Sequence, residues 1–372
     1  MTDLEELETP ALVVELDRMN ANLDRGAAYA RTHGLSLRPH IKTHKSPMLA
    51  GEQLRRGATG VTCATPYEAE VMSEVTQDVL VMYPPVGAQR AGRLAHLAQR
   101  VRLTVALDSE PAAGDLSRAA VEIGSRVRVL VEIDAGMHRV GVQSSSEAVA
   151  LAKRIAALPG LEVAGIAFYP GHVRGPVGEH AQQLGELNRL VADTKSAFEH
   201  AGIELHVVSA GSTPTLWRTH EIAGVTEMRP GTYIFNDRTT SEIGACAPED
   251  CALTVLATVV STSVPGQAVI DAGAKALGRE PMRGGSADGF GCLWNDPSVV
   301  VKSMSEEHGI LDLARSSWRP RVGERVRVVP NHVCIVVHLA DQVYGIREGA
   351  VVSSWPVAAR GRGQPELADL GR

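Results

Sequence analysis

The chain has 372 residues, 44% of them hydrophobic, which is enough for two cores, so a large domain with a smaller one is expected and a single small domain is excluded. A net charge of -6 without any long Lys/Arg run excludes the basic surface that a phosphate backbone requires, and nucleic acid is not an expected partner. The acidic start MTDLEELETP lacks a targeting pattern, no run of about 18 apolar residues occurs, and five scattered cysteines argue against a disulfide framework; a cytoplasmic protein with no membrane partner is expected.

In chain order, ALVVEL at 11–16 predicts a strand that is assigned to the smaller domain. From about residue 18 to 235, short β-branched runs alternate with Ala/Leu/Arg-rich segments of helical period, as parallel βα units do. Eight strands are predicted: LSLRP at 35–39, GVTC at 60–63, DVLVMY at 78–83, VRLTVAL at 101–107, VRVLVEI at 127–133, EVAGIAF at 162–168, LHVVSA at 205–210 and VTEMR at 225–229. That number closes a barrel. After about residue 240 the helical period fades, and CALTVLATVVS, QAVIDAG, RVRVVP, IVVHL and YGIREGAVV read as antiparallel strands. The expected class is therefore α/β, with a (β/α)8 TIM-type barrel over 17–240 and a smaller, mainly antiparallel β domain formed by 1–16 and 241–372. The ending GRGQPELADLGR reads as frayed.

A barrel of this type builds its site from the loops that follow its strands. His40 and Lys42 follow the first in RPHIKTHK, Asp134, His138 and Arg139 the fifth in DAGMHRVGV, and Tyr169 and His172 the sixth in YPGHVRG. Gly211, Ser212 and Thr213 follow the seventh; Gly231, Thr232 and Tyr233 follow the eighth in PGTY. A lysine at an enclosed mouth loses solvation, which lowers its pKa toward a nucleophilic amine able to form a Schiff base. From position alone, the commoner reading of Lys42 and Lys45 is solvated loop charge. The GST and PGTY loops shift that balance, because bare backbone N–H groups and hydroxyls after strands seven and eight form the usual barrel phosphate site. Together with a mouth lysine they point to pyridoxal phosphate.

A second constellation is PNHVC at 330–334, where His332 and Cys334 lie two apart on what reads as a strand and so share a face. Imidazole and thiolate donors suit a borderline-soft divalent ion, and two ligands would leave positions open for water or substrate. The bland reading is a core cysteine beside a hydrogen-bonded histidine. SEEHG at 305–309 offers Glu307 and His308, though an acidic turn with a histidine more often starts a helix.

Taken together, TPALVVELDRMNANL, RPHIKTHK, GSTPT, GVTEMRPGTYIFND, VLATVV, VIDAG, EEHGIL, PNHVC and WPVAARG, in that order, resemble the D-threonine aldolase and D-serine dehydratase group of fold-type III pyridoxal-phosphate enzymes. The resemblance implies an alanine-racemase-like barrel followed by a β domain, acting as a homodimer in which one subunit's β domain completes the other's site. It implies Lys42 as the Schiff-base residue, Arg139, Tyr169, Ser212, Thr213, Gly231 and Tyr233 about the cofactor, and His332 with Cys334 as ligands of a divalent metal, zinc or manganese; His40 and Gly211, which follow the first and seventh strands, are expected among the cofactor contacts as well.

Two reactions on a 3-hydroxy-D-amino acid are consistent with this group. In an aldolase a base removes the β-hydroxyl proton and the Cα–Cβ bond opens; in a D-serine or 3-hydroxy-D-aspartate dehydratase the freed lysine takes the α-proton and hydroxide leaves. The His-x-Cys pair and the GSTPT loop are more similar to the dehydratases. His172 and the WPVAARG ending are more similar to the aldolases, and the expectation is retro-aldol cleavage with His172 as base. A metal-free racemase of the same barrel type is a further alternative.

Overall fold

The computed structural model describes residues 2–282, 288–361 and 363, so the frayed ending expected for 361–372 lies almost wholly outside the described residues. The chain divides into two compact units: one holds Ala27–Val173, Ala181–Gly231 and the chain from Ala358, and the other holds the chain to Gly26, Arg174–His180 and Thr232–Val357. Residues 17–26 and 232–240, expected in the barrel, thus group with the β unit.

The first unit is a parallel barrel. All eight expected strands are present, with ends moved by a few residues: Ser36–Leu37, Val61–Cys63, Asp78–Val81, Arg102–Leu107, Val127–Ile133, Leu161–Phe168, Val207–Ala210 and Glu227–Met228. Neighbours from the second to the eighth pair in sequence order, the eighth pairs with the first, and His40 pairs with Thr62 to close the ring. The connecting helices start where the sequence supplies caps. Thr65 accepts the Glu68 N–H to open Pro66–Met72, and Ser144 accepts that of Glu147 to open Ser145–Ala156.

Strand alternation sorts the barrel residues onto two faces. Leu103, Val105 and Leu107 pack outward with Ala112 and Leu116 of the following helix, while Leu80, Ala106, Leu130, Ala164 and Ala167 form a separate cluster inside. Small interior residues leave room for buried polar groups, and those around Arg38 and Arg229 are paired, as burial of charge demands. Arg38 binds Asp78 at 2.8 Å and Glu227 at 2.6 Å, Ser209 donates to Glu227 at 2.6 Å, and Arg229 donates to Ser209 at 3.1 Å and to the Phe168 carbonyl at 2.8 Å. Gly165 sits at a bulge in the sixth strand with φ +151°, where any Cβ would collide with the Val207 carbonyl.

The second unit is a largely antiparallel sheet. Its order runs Ala350–Pro356, Gln342–Arg347, Ala11–Glu15, Leu253–Ser261, Gln267–Ile270, Gly309–Asp312 and Val301–Met304, with Arg325–Pro330 also paired to Leu253–Ser261 and to Gly291–Leu293. Ala11–Glu15 is thus a strand of this sheet, as its sequence suggested.

Three expectations are corrected here. IVVHL is not a strand but part of the helix Val333–Leu339, and PNHVC is the turn into that helix, with His332 at the N-cap in extended conformation. The helix forms despite its β-branched residues because a distant carboxylate caps it: Asp237 Oδ2 accepts the Val333 N–H at 3.2 Å. SEEHG starts no helix. It is the turn between Val301–Met304 and Gly309–Asp312, closed by the Ser305 N–H donating to His308 O at 2.9 Å, and Glu307 pairs with Lys275 at 2.6 Å. Among the described residues no helix is long and apolar enough to cross a membrane.

Candidate active site

At the carboxyl ends of the barrel strands, His40 opens the single turn Ile41–Thr43 by accepting the Lys42 N–H at 3.5 Å. The Lys42 ammonium lies 5.7 Å from the Tyr169 ring centroid, and the Arg139 guanidinium carbon lies 5.3 Å from the same centroid. One aromatic ring therefore gathers a lysine from the first loop and an arginine from the fifth. Gly171 allows this arrangement, since a Cβ there would strike both the Tyr169 ring and Met137 Sδ. His172 packs its ring over Gly136, whose Cβ would stand 3.2 Å from it, so the fifth and sixth loops interlock at the mouth.

Asp134 organises the fifth loop. Its Oδ1 accepts the Gly136 and His138 N–H groups, each at 3.0 Å, and its Oδ2 meets His138 Nδ1 at 2.9 Å. Burial opposes the charge on Asp134, but the donors from His138 and Gly136 outweigh it and hold the carboxyl below its usual range. In the seventh loop Gly211 takes φ +98°, and Thr215 fastens the turn by accepting the Ser212 N–H at 3.2 Å with its hydroxyl 3.1 Å from Ser212 Oγ. Gly231 lets the first and eighth loops touch: a Cβ there would lie 2.8 Å from Thr43 Oγ1 and 3.0 Å from the His40 carbonyl. Bare backbone at Gly211 and Gly231, hydroxyls at Ser212 and Thr213, and an amine at Lys42 on the same barrel end form a donor set that fits pyridoxal phosphate.

The mouth is electrically biased. Burial, then Lys42 and Arg229, push the His40 imidazole well below its ordinary pKa, so it is neutral at pH 7. Burial lowers Arg229 from its usual value and raises Glu132, which Arg229 and Arg139 partly restrain. Neither Arg229 nor Glu132 was singled out from sequence. The signal existed, because Arg229 has the strand parity of Glu227 and stands just before PGTY, but parity reveals a face only after the barrel is known.

Tyr233 lies in the other unit, packed so closely on Gly26 that a Cβ there would be 2.7 Å from its ring. The same unit brings His332 and Cys334 into hydrogen-bond contact, with Thr232 Oγ1 3.8 Å from Cys334 Sγ. His332 Nδ1 is 3.0 Å from Oδ2 of Asp237, whose side chain is wholly buried. Burial works against a charged His332, yet Cys334 and Asp237 prevail and raise it well above its ordinary pKa. The nitrogen and sulfur donors fit a borderline-soft divalent ion, and among the described residues there is no group of three or more His, Cys, Asp or Glu side chains that could hold a metal. Asp237 was also missed, because its partners stand 95 and 96 residues away.

A family model for the alanine racemase N-terminal domain matches residues 14–239, and one for a putative serine dehydratase domain matches 252–346. The chain is 31% identical over 363 residues to a D-threonine aldolase of Arthrobacter sp, covering 96% of this chain and 94% of the relative. It is 35% identical over 348 residues to a D-threo-3-hydroxyaspartate dehydratase of Delftia sp. (strain HT23), covering 88% and 91%. The solved D-threonine aldolase of Filomicrobium marinum superposes with a TM-score of 0.90 at 33% identity, over 96% of this chain and 97% of that one. A cysteine-to-alanine mutant of D-threo-3-hydroxyaspartate dehydratase in the metal-free form superposes at 0.88 with 30% identity, over 98% and 100%. With both domain models in order along it, and relatives of this identity over nearly its full length, the chain belongs to the alanine-racemase-like, fold-type III family of pyridoxal-phosphate enzymes.

Proposed function

We propose that the protein is a pyridoxal-phosphate- and divalent-metal-dependent lyase that cleaves D-threonine-like 3-hydroxy-D-amino acids to glycine and an aldehyde. The substrates named for its relatives, D-threonine and D-threo-3-hydroxyaspartate, share a β-hydroxyl group and an amine. Lys42 would hold the cofactor's carbonyl carbon, Gly211, Ser212, Thr213 and Gly231 its phosphate, and His40, Arg139, Tyr169 and Tyr233 would complete its surroundings. His332 and Cys334 would hold zinc or manganese. When bound, the cofactor supplies an electron sink for Cα and the metal a Lewis acid for the β-oxygen.

The observation that carries the aldolase reading is His172, seated over Gly136 in the loop that also presents Tyr169. A mouth imidazole of this kind can take the proton from the β-hydroxyl oxygen as Cα–Cβ opens, and the Lys42 amine can return a proton to Cα of the glycine product. Replacing His172 with Asn is expected to cut glycine formation from D-threonine by roughly 10²–10⁴-fold while the bound cofactor keeps its visible absorbance. Unchanged turnover would remove His172 from the reaction.

Cys334 favours a second reading, β-elimination from D-serine or 3-hydroxy-D-aspartate to a 2-oxo acid and ammonia, since the metal-free dehydratase structure is that of a cysteine mutant. There Lys42 would take the α-proton, and the His172→Asn variant would remain active. For either reaction we propose a homodimer.

A further inference from the structure

A histidine can bind a metal through either ring nitrogen, and its two neutral tautomers compete unless a partner fixes one. In the β unit that freedom is removed by a single carboxylate. Asp237 Oδ1 accepts the Thr240 N–H and the Thr240 hydroxyl, each at 2.9 Å. Its Oδ2 accepts the Val333 N–H at 3.2 Å and faces His332 Nδ1 at 3.0 Å. Four donors occupy the four acceptor sites of an ionised carboxylate, so the group can neither rotate nor turn a different edge to the imidazole. With Nδ1–H committed to Asp237, Nε2 is the His332 nitrogen left to bind a metal, on losing its own proton.

We propose that Asp237 is a positioning residue for the metal centre, fixing His332 in the Nδ1–H tautomer and, through the Val333 N–H, holding the helix turn that carries Cys334. This rests on the reading of His332 and Cys334 as the metal pair. One buried anion thus sets both ligands: it orients the imidazole directly, and it fixes the backbone one residue before the sulfur. A carboxylate behind a ligating histidine also makes the imidazole a stronger donor, and loss of such a partner typically weakens metal binding by about 10- to 100-fold. Thr240 holds Asp237 in turn, both as its N-terminal capping partner and through its hydroxyl. A shell of this kind has no sequence signature, because D-x-x-T reads as an ordinary helix start.

The test is calorimetric titration of Mn²⁺, and separately Zn²⁺, into the chelator-treated, cofactor-loaded full-length protein, with His332→Ala, Cys334→Ala, Asp237→Asn and Thr240→Val compared to the unaltered chain. Asp237→Asn keeps the shape but loses the charge and turns an NH2 toward the Thr240 N–H. It is expected to weaken metal binding about 10- to 100-fold at unchanged cofactor absorbance. Thr240→Val is expected to weaken it less, and it decides the question if Asp237→Asn does not fold. Wild-type metal affinity in whichever of the two variants folds, alongside loss in His332→Ala, would overturn the role of Asp237. Wild-type affinity in His332→Ala and Cys334→Ala would instead overturn the metal pair itself.

Discussion

The residues around Lys42 show how a barrel mouth keeps imidazoles uncharged. His44, 1% exposed, accepts the Ser46 N–H on Nδ1 at 3.1 Å and places Nε2 3.2 Å from Gln53 Oε1, so only the neutral Nε2–H tautomer satisfies both neighbours. Burial, against the help of Gln53 and Ser46, lowers its pKa from 6.5 to about 4. The unfolded chain then binds the proton first, so the stability His44 contributes is complete above pH 6.5 and is lost as pH falls toward 4. Between pH 7 and pH 5 that loss is about 2 kcal/mol. His44→Asn should remove this part of the slope in urea denaturation at the two pH values; equal slopes would refute it. Lys42→Ala should abolish turnover and the visible absorbance of the bound cofactor, and an active, normally coloured variant would sink the cofactor assignment. The placement of Lys42 and His172 beyond strand ends was legible in sequence, because the strands themselves were. Arg229 and Asp237 were not, since what makes them notable is a partner supplied from elsewhere in the fold.

Among elements, the barrel strands were readable because they are short β-branched runs between long helical segments, a contrast that survives without tertiary information. In the β unit that contrast is missing. Gly291–Leu293, Val301–Met304 and Gly309–Asp312 are three or four residues long with too little alternation to register, and they went unpredicted. Val333–Leu339 misled in the opposite sense: its composition favours a strand, and a carboxylate 96 residues earlier makes it a helix. The bulge in the sixth barrel strand is a feature of the same kind. Its Gly165 lets two strands approach where a methyl group would meet the Val207 carbonyl, so Gly165→Ala should destabilise the protein by about 1–3 kcal/mol or more, read as a lowered Tm. A Tm within error of the unaltered protein would show that the sheet can yield there.

At the scale of the whole molecule, alternation, strand count and motif order were enough to anticipate a barrel followed by a β unit, and the domain models match in that order. Residues 17–26 and 232–240 carry barrel-like patterning and group with the β unit. The proposed homodimer predicts a mass by light scattering about twice the 39.5 kDa of one chain, and a monomer at working concentration would contradict it. The most direct test of the proposed chemistry is mass-spectrometric product analysis after the metal-replete protein is given D-threonine and D-serine separately. Glycine and acetaldehyde from D-threonine are the predicted products; pyruvate from D-serine, or 2-oxobutanoate from D-threonine, would contradict retro-aldol cleavage and make the protein a dehydratase.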